Sequence, residues 1–360
     1  MPHPVRRVGQ RRKRCRTRGT ARYRRGARRG SVARRLGVRD HLPRGRRGGG
    51  GRRLTSQGVV ALVGPTASGK TTAAIAVAQQ LPIEVVSADS RQIRRGMRIG
   101  TAAPTDEELA AVPHHLVGIV EPNEPWTLAD FLERAHEAID AIHARGRLPL
   151  LVGGAGQYVW ALLEGWEPPA VPPNPELRAR LEAEAREQGV EAVHARLAAL
   201  DPASAERIGT KNERRLIRAL EIVEATGEPI APLPRVPPPW PWRVVGLQWS
   251  RSALSRRADR RAEAMYEAGL VEETRAIVER HGEDFEALTS IGYAEALGVL
   301  RGRWREAEAV KRTQAATRRL IRRQAAWFRP VDPRIEWVAG ADVERVVATV
   351  VEAAANEFGG

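Results

Sequence analysis

The chain of 360 residues contains one cysteine, Cys15, which excludes disulfide frameworks and metal sites built from cysteine ligands. No apolar run approaches the roughly 18 residues that a transmembrane helix needs, so membrane association is not expected. Lysine is scarce as well, with four residues against 55 arginines. The hydrophobic fraction of 42% is typical of a soluble globular protein, and together these features predict a cytoplasmic location.

Acidic residues are almost absent from residues 1–53, which hold 20 arginines, Lys13 and a single acid, Asp40. The rest of the chain carries 38 basic and 42 acidic side chains, so the net charge of +16 comes from this segment. Its composition predicts a basic disordered extension. Three interpretations stay open: an upstream extension without a selected function, a segment that attracts RNA, and a targeting peptide.

Short runs of apolar, β-branched residues alternate with helical patterns from residue 58 onward. We predict buried strands at 59–63, 83–87, 148–152 and 243–249, and helices at 71–81 and 131–145. This alternation is typical of an α/β fold with a parallel sheet covered by helices.

Proline-rich breaks at 168–175 and 229–241 enclose a stretch that is helical in pattern. We therefore predict a core domain of residues 54–167 and 243–340 and a helical insertion at 168–242. Helices follow to about residue 329, and residues 341–360 form a C-terminal helix or tail. One of these helices, at 311–329, carries seven basic residues and no acid, and its apolar side includes Leu320, Ile321, Trp327 and Phe328. We interpret it as having an apolar core face and a basic face towards phosphates; a solvated basic helix is the alternative.

Residues 64–71 read GPTASGKT and complete the P-loop pattern GxxxxGK[ST] between a predicted strand and a predicted helix. In such a loop, backbone N–H groups and the helix N-terminus attract phosphate oxygens. Lys70 adds a full positive charge, and the Thr71 hydroxyl can hold Mg²⁺. The pattern predicts a phosphate or diphosphate site, with a structural glycine turn as the alternative.

The predicted strand at 148–152 ends in Gly153-Gly154 and lacks the aspartate with which most P-loop NTPases organise Mg²⁺. The nearest acid at a strand end is Asp89. Ligands of open parallel sheets lie at the carboxyl ends of the strands, so Asp89 is expected to face the phosphates. A carboxylate there fits a metal ligand or a general base, and a turn or capping aspartate is the alternative.

Six segments in a fixed order resemble bacterial tRNA dimethylallyltransferases of the IPP transferase family. They are GPTASGKT at 64–71, SADSRQIRRGMRIGTAAP at 87–104, VPHHLVGIVEP at 112–122, LLVGGAGQYVWALLEG at 150–165, IGYAEAL at 291–297 and TQAATRRLIRRQAAWFR at 313–329. The match spans roughly residues 58–335. It implies a P-loop NTPase-like parallel sheet with a helical insertion that contacts tRNA.

The resemblance also implies the reaction. The family transfers dimethylallyl from dimethylallyl diphosphate to N6 of the adenosine 3′ to the anticodon, in tRNAs that read codons starting with U. Asp89 resembles the general base, and Lys70, Arg257 and Arg261 resemble the groups that stabilise the leaving diphosphate. The two arginines are four positions apart and so share a helix face, which could also be a solvated face. A monomer that uses Mg²⁺ is implied.

The remaining site residues follow from the same resemblance. Those expected to bind the diphosphate are Gly64, Pro65, Thr66, Ala67, Ser68, Gly69, Lys70 and Thr71, and Thr71 is the expected metal ligand. Those expected to contact tRNA are Asp89, Ser90, Arg91, Gln92, Ala155, Arg178, Arg214, Arg215, Leu216, Ile217 and Arg218.

Three residues depart from the family pattern. GGTGLY reads GGAGQY here, with Ala155 and Gln157, so that one hydroxyl is missing where tRNA and diphosphate meet. The tyrosine of DSxQxYxGM is Arg94, which changes part of the expected tRNA surface.

Two other functions stay open: a small-molecule kinase that uses ATP, and an RNA-binding relative without catalytic activity.

Overall fold

A computed structural model describes residues 57–232 and 234–358. The basic extension predicted for residues 1–53 lies outside the described residues. No helix in the described ranges combines the length and the apolar character that a bilayer crossing requires.

A parallel sheet forms the centre of the described residues, with the strand order β3-β2-β4-β1-β5-β6. The strands are β1 Val59–Val63, β2 Ile83–Ala88, β3 His114–His115, β4 Leu148–Gly153, β5 Trp242–Gln248 and β6 Ile335–Ala339. The four strands predicted from the sequence are confirmed within one residue at each end. The edge strands β3 and β6 were not predicted.

Helices account for most of the other described residues. They are α1 Lys70–Ala78, α2 Asp106–Ala111, α3 Leu128–Ala144, α4 Gly156–Leu163, α5 Pro175–Gln188, α6 Val190–Leu200, α7 Pro202–Ile208, α8 Glu213–Thr226, α9 Arg251–Glu267, α10 Leu270–His281, α11 Tyr293–Leu300, α12 Glu306–Trp327 and α13 Val343–Phe358. The helices predicted at 71–81 and 131–145 correspond to α1 and α3.

The central strand β1 is buried on both faces, which explains its continuous apolar sequence. Val59, Ala61 and Val63 pack with residues of α3 and α4, whereas Val60 and Leu62 pack with α1 and α13. Successive side chains of a strand point to opposite faces. The sheet is therefore covered by helices on both sides, as the alternating pattern predicted.

The helices α5 to α8 pack against one another around an apolar cluster of their own, which includes the buried residues Leu181, Leu197 and Leu220. They lie between the two proline-rich breaks, and β5 begins at Trp242, where the helical insertion was expected to end. The division of the chain into domains stays a prediction.

The carboxyl ends of β1, β4 and β2 lie side by side, since Gly153 is opposite Val63 on one side and Ala88 on the other. A Cβ atom at Gly153 would lie 2.2 Å from the carbonyl oxygen of Ala88, so only glycine fits this position. The segments that follow the three strands consequently start at one edge of the sheet.

Candidate active site

The P-loop links β1 to α1 at this edge. Gly69 is the N-cap of α1 with a φ of 92°, a left-handed conformation that favours glycine, and no side chain caps the helix. The Nζ atom of Lys70 donates hydrogen bonds to the carbonyl oxygens of Gly64 (2.9 Å) and Pro65 (2.8 Å). The uncapped N-terminus of α1 and the ammonium group together form a site of positive potential.

Burial lowers the pKa of Lys70 to about 8, because removal from water disfavours its charged form. The negative charge of Asp89 counteracts this effect, and the positive charge of Arg261 adds to it. Asp89 and Arg261 line the same cavity as Lys70. An anion bound beside Lys70 would raise its pKa back towards the ordinary value of a lysine in water.

Arg257 and Arg261 extend from α9 to the P-loop. The Nε atom of Arg257 donates to the carbonyl oxygen of Ala67 at 2.8 Å, and its guanidinium lies 4.5 Å from the centre of the Trp249 ring. The Nη1 atom of Arg261 lies 3.4 Å from the hydroxyl of Thr66. The structure thus places both arginines beside the predicted diphosphate site rather than on a solvated face.

Asp89 follows β2 directly. Its Oδ1 atom accepts hydrogen bonds from the backbone N–H groups of Arg91 (2.8 Å) and Gln92 (3.3 Å). This turn fixes the carboxylate at the carboxyl edge of the sheet, in the same cavities as the P-loop and Arg261. The expectation that Asp89 faces the phosphate site agrees with this position, and its role as a base stays a prediction.

Two cavities meet at this edge. The smaller, about 470 Å³, is lined by residues 66–72, which run from the P-loop into α1, and by Arg257, Arg260 and Arg261. The larger, about 910 Å³, extends towards α12 and the helical insertion. Five residues line both cavities: Thr66, Asp89, Gly154, Arg261 and Gln324. A ligand in either cavity would contact them, so a reaction between two ligands would take place there.

Several residues expected to contact tRNA line the larger cavity: Asp89, Ser90, Arg91, Ala155 and Arg214. Gln92 instead lines the smaller cavity. Arg215 is exposed on α8 outside both cavities.

Four other residues of this group have structural contacts in the insertion. Arg178 donates two hydrogen bonds of 2.8 Å to the buried carboxylate of Glu221, and Arg218 donates one of 3.1 Å. Leu216 and Ile217 are buried in the apolar cluster of α5 to α8. The expectation of a tRNA contact through these two side chains is not supported, because the helical packing covers them.

The basic helix predicted at 311–329 is α12. Ile321 and Phe328 are buried as expected, but Leu320 and Trp327, which were assigned to the core face, line the larger cavity. Arg323 lines it as well. One face of α12 therefore combines apolar, aromatic and basic side chains at the cavity wall.

Gln324 and Arg260 line the smaller cavity, and neither was predicted from the sequence. The Oε1 atom of Gln324 accepts a hydrogen bond of 2.8 Å from the backbone N–H of Thr66. Helical spacing could have identified Gln324 from the sequence, because Thr317, Leu320, Gln324 and Trp327 share one face of α12.

Two of the family departures have clear structural consequences. Ala155 is the N-cap of α4, and without a hydroxyl it provides no side-chain cap. Arg94 is buried, and its guanidinium donates to the carbonyl oxygens of Glu121 and Glu124. Arg94 therefore supports a loop as well as the wall of the larger cavity, where Gln157 also lies.

The described residues contain no group of three or more His, Cys, Asp or Glu side chains arranged to hold a metal ion. Thr71, Asp89 and Glu108 nevertheless all line the smaller cavity. Mg²⁺ keeps several waters and is bound through one or two carboxylates together with phosphate oxygens of a ligand. These oxygen donors fit such an ion when a diphosphate is present.

Comparisons with known proteins agree with this geometry. The sequence pattern of the family described as IPP transferase matches residues 92–330, and that described as isopentenyl transferase matches residues 57–115. The chain belongs to the IPP transferase family. The tRNA dimethylallyltransferase of Roseiflexus sp. (strain RS-1) is 48% identical over 81% of this chain and 97% of its own. That of Thermobifida fusca is 46% identical over 82% and 94%.

Solved structures of IPP transferases have the same fold. The tRNA isopentenylpyrophosphate transferase of Bacillus halodurans superposes with a TM-score of 0.62 at 36% identity, over 84% of this chain and 98% of its own. A eukaryotic dimethylallyltransferase, 23% identical, superposes with a TM-score of 0.66 over 83% of this chain and 78% of its own. The P-loop NTPase-like core that the resemblance implied is thereby confirmed.

Proposed function

We propose that this IPP transferase moves a dimethylallyl group from dimethylallyl diphosphate to N6 of the adenosine that follows the anticodon of tRNA on its 3′ side. The observation that carries the proposal is the position of Asp89. It lies where a cavity lined by the P-loop meets a larger cavity lined by basic and aromatic residues. The two substrates would meet at this carboxylate.

In the proposed reaction, the N6 amine of adenine attacks the first carbon of the dimethylallyl group while the bond from that carbon to the bridging oxygen breaks. Asp89 takes the proton that the amine loses, and the diphosphate leaves with the bonding electrons. Asp89 suits this role because two backbone N–H groups hold Oδ1 in place.

The leaving diphosphate gains negative charge as the bond breaks, and preorganised positive groups stabilise that charge. At the P-loop, the positive charge comes from Lys70, Arg257 and Arg261, and the N-terminus of α1 adds a partial positive charge. In the free enzyme, Lys70 binds the carbonyl oxygens of Gly64 and Pro65. Phosphate oxygens would replace these partners and favour the protonated amine.

The target adenine must leave its stack to reach a buried reaction centre. The larger cavity has room for a nucleotide and is lined by Trp126, Tyr158 and Trp327, on whose rings a base could stack. Arg214 and Arg323 line the same cavity and can bind the tRNA backbone. Tyr158 is itself held in place, because it stacks on the ring of Phe131.

Thr71, with Asp89 or Glu108, would hold Mg²⁺, which neutralises charge on the diphosphate when it is bound. We further propose that the protein acts as a monomer in the cytoplasm.

The test uses the purified full chain, Mg²⁺, radiolabelled dimethylallyl diphosphate and an unmodified tRNA that reads codons starting with U. Label should enter the tRNA, and Asp89→Asn should abolish it because the amide cannot accept the proton. A tRNA with guanosine in place of the target adenosine is the substrate control. Glu133→Gln, a change at an exposed position of α3 remote from both cavities, controls for loss of a carboxylate.

Two other results would reject the proposal. Transfer of phosphate from ATP to a small molecule, without label in tRNA, would indicate a P-loop kinase. Tight tRNA binding with neither activity would indicate an RNA-binding relative.

A further inference from the structure

A short loop, residues 98–103, separates the two cavities. In the sequence, this loop is part of neither the P-loop nor the turn that contains Asp89. Gly100 and Thr101 line the larger cavity, whereas Ala102 and Ala103 line the smaller one. Ala102 has a φ of 45°, a left-handed conformation that is unfavourable for a residue with a side chain. Such a backbone persists only where surrounding contacts enforce it.

Glu273, in the first turn of α10, holds this loop through its backbone. Its carboxylate accepts hydrogen bonds from the N–H groups of Arg98 (3.1 Å), Ile99 (3.0 Å) and Gly100 (3.5 Å). Three successive backbone donors around one carboxylate fix the course of the chain, since hydrogen bonds to an ionised acceptor are about twice as strong as neutral ones.

Tyr293, at the start of α11, completes the contact from inside the protein. Its hydroxyl donates to Glu273 Oε1 at 2.5 Å and accepts from the N–H of Gly100 at 3.2 Å. The ring is fully buried, and a Cβ at Gly100 would lie 2.4 Å from it. Burial, and then the charge of Glu273, raise the pKa of Tyr293 well above its usual value, so the phenol remains a donor.

Gln92 connects the loop to the reaction centre. Its Nε2 atom donates to the carbonyl oxygens of Ala102 (3.0 Å) and Thr101 (3.4 Å), and its backbone N–H donates to Asp89 Oδ1 at 3.3 Å. The side chain of Gln92 is therefore hydrogen-bonded to the loop that Glu273 fixes, while its backbone N–H is hydrogen-bonded to the carboxylate of Asp89. A shift of the loop would displace Gln92 and with it Asp89.

We infer that Glu273 is a positioning residue for the prenyl transfer: with Tyr293 it fixes loop 98–103, and through Gln92 it sets the orientation of Asp89. Glu273 itself lines neither cavity. This inference rests on the proposed function for its kinetic part. Its structural part, the restraint of the loop, is independent of that function.

The kinetic test compares Glu273→Gln with the wild-type full chain. An amide offers one acceptor oxygen in place of two, so the loop loosens, and kcat should fall about 10-fold to 100-fold, as expected when a reacting group is misplaced by about 1 Å. KM for dimethylallyl diphosphate should change less than kcat, since the P-loop that binds the diphosphate is not touched and only Ala102 and Ala103 of the loop line its cavity. Unchanged kcat would overturn the inference.

Glu272→Gln is the matched control, because Glu272 lies in the same first turn of α10, is exposed and carries the same charge. It should keep wild-type kcat. An equal loss of kcat in both variants would assign the effect to the charge of the helix and overturn the inference. Tyr293→Phe keeps the ring and removes only the hydroxyl, so kcat should fall by less than is expected for Glu273→Gln. This variant tests the inference if Glu273→Gln does not fold.

A double-mutant cycle tests the route through Gln92. Gln92→Ala removes the link between loop and Asp89, so adding Glu273→Gln to it should lower kcat by less than about twofold. Fully multiplicative losses would show that Glu273 does not act through Gln92 and would overturn the inference.

Hydrogen–deuterium exchange of the free protein separates this inference from the proposed function. Glu273→Gln, but not Glu272→Gln, should accelerate exchange at the amides of Ile99 and Gly100 about tenfold or more, because one of the two carboxylate oxygens that restrain the loop is lost and the loop opens more often. If the wild type modifies no tRNA but this acceleration is seen, the proposed function fails and the restraint stands. Unchanged exchange rejects the restraint even in an active enzyme.

Discussion

The side chain of Gln324 binds the backbone N–H of Thr66 at 2.8 Å, although the two residues are 258 positions apart. This bond joins the basic helix α12 to the P-loop at the junction of the two cavities. Thr66 is one of the residues expected to bind the diphosphate, so Gln324 controls a donor that a phosphate oxygen would use.

Gln324→Glu should weaken binding of dimethylallyl diphosphate about 10-fold to 100-fold, because a carboxylate of the same shape repels the diphosphate at short range. Isothermal titration calorimetry with the full chain measures the affinity. Gln314→Glu adds the same charge about 15 Å away along α12 and should leave this affinity nearly unchanged, although it lowers stability because Gln314 donates a hydrogen bond to Glu263 at 3.0 Å. Equal affinities for the two variants would show that Gln324 does not face the diphosphate.

Binding of dimethylallyl diphosphate should weaken as the pH rises through about 8, the lowered pKa of Lys70. Above this pH the free enzyme has lost the ammonium proton, and binding must restore it, at a cost of up to about tenfold in affinity per pH unit. Calorimetry at pH 9 in two buffers of different ionisation enthalpy should detect proton uptake. Lys70→Met should bind weakly without this dependence.

The same shift affects folding stability. The pKa of Lys70 is 10.5 in the unfolded chain and about 8 in the folded protein, so between these values the unfolded state holds more protons. The contribution of Lys70 to the free energy of unfolding should therefore rise with pH across this window. The difference in unfolding midpoint between wild type and Lys70→Met, followed from pH 7 to pH 10, checks the sign.

Ala155→Thr should stabilise the protein and raise its activity. A threonine hydroxyl at this N-cap can accept a hydrogen bond from a backbone N–H in the first turn of α4, which is worth about 1 kcal/mol, and it restores the hydroxyl that the family pattern contains. We expect a higher melting temperature and a kcat increased several-fold. Ala155→Val, which adds similar bulk without the hydroxyl, should show neither gain. A higher melting temperature with unchanged kcat would limit the hydroxyl to capping.

Arg178 and Arg214 should respond differently to replacement by alanine. Removal of Arg178 leaves the buried carboxylate of Glu221 with fewer donors, which should cost about 1–3 kcal/mol of unfolding free energy without altering KM for tRNA. Arg214 lines the larger cavity, so its removal should raise KM for tRNA and leave the melting temperature unchanged. Chemical denaturation and steady-state kinetics measure the two effects. The reverse pattern would contradict both assignments.

The strands β1, β2, β4 and β5 were predictable because each contains consecutive apolar residues that are buried in the sheet. The strand β3 is only two histidines long, too short for any pattern. In β6 only Ile335 and Val338 are buried, Glu336 between them is exposed, and Trp337 is partly buried against the core, so no continuous buried run marks the strand. Edge pairing depends on tertiary contacts more than on local sequence.

The P-loop and Asp89 were predictable because their function depends on neighbours in the sequence: a contiguous loop in one case and a strand end in the other. The contacts of Gln324 and Glu273 were not, since they bind backbone groups more than 170 positions away. Arg178 and Arg218 were assigned to tRNA through the family resemblance. Their partner Glu221 is an acidic residue within an amphipathic helix, and its burial becomes evident only when α5 and α8 pack together.

The junction of the two cavities has a consequence for how kinetic data on this enzyme should be sorted. Substitutions confined to the smaller cavity, such as Arg260→Ala, should alter the apparent affinity for the prenyl donor alone. Substitutions confined to the larger cavity, such as Arg323→Ala, should alter the apparent affinity for the tRNA acceptor alone. The five shared residues form a third class, in which no change can affect one substrate without the other. Engineering a new donor or a new acceptor should therefore begin outside those five positions.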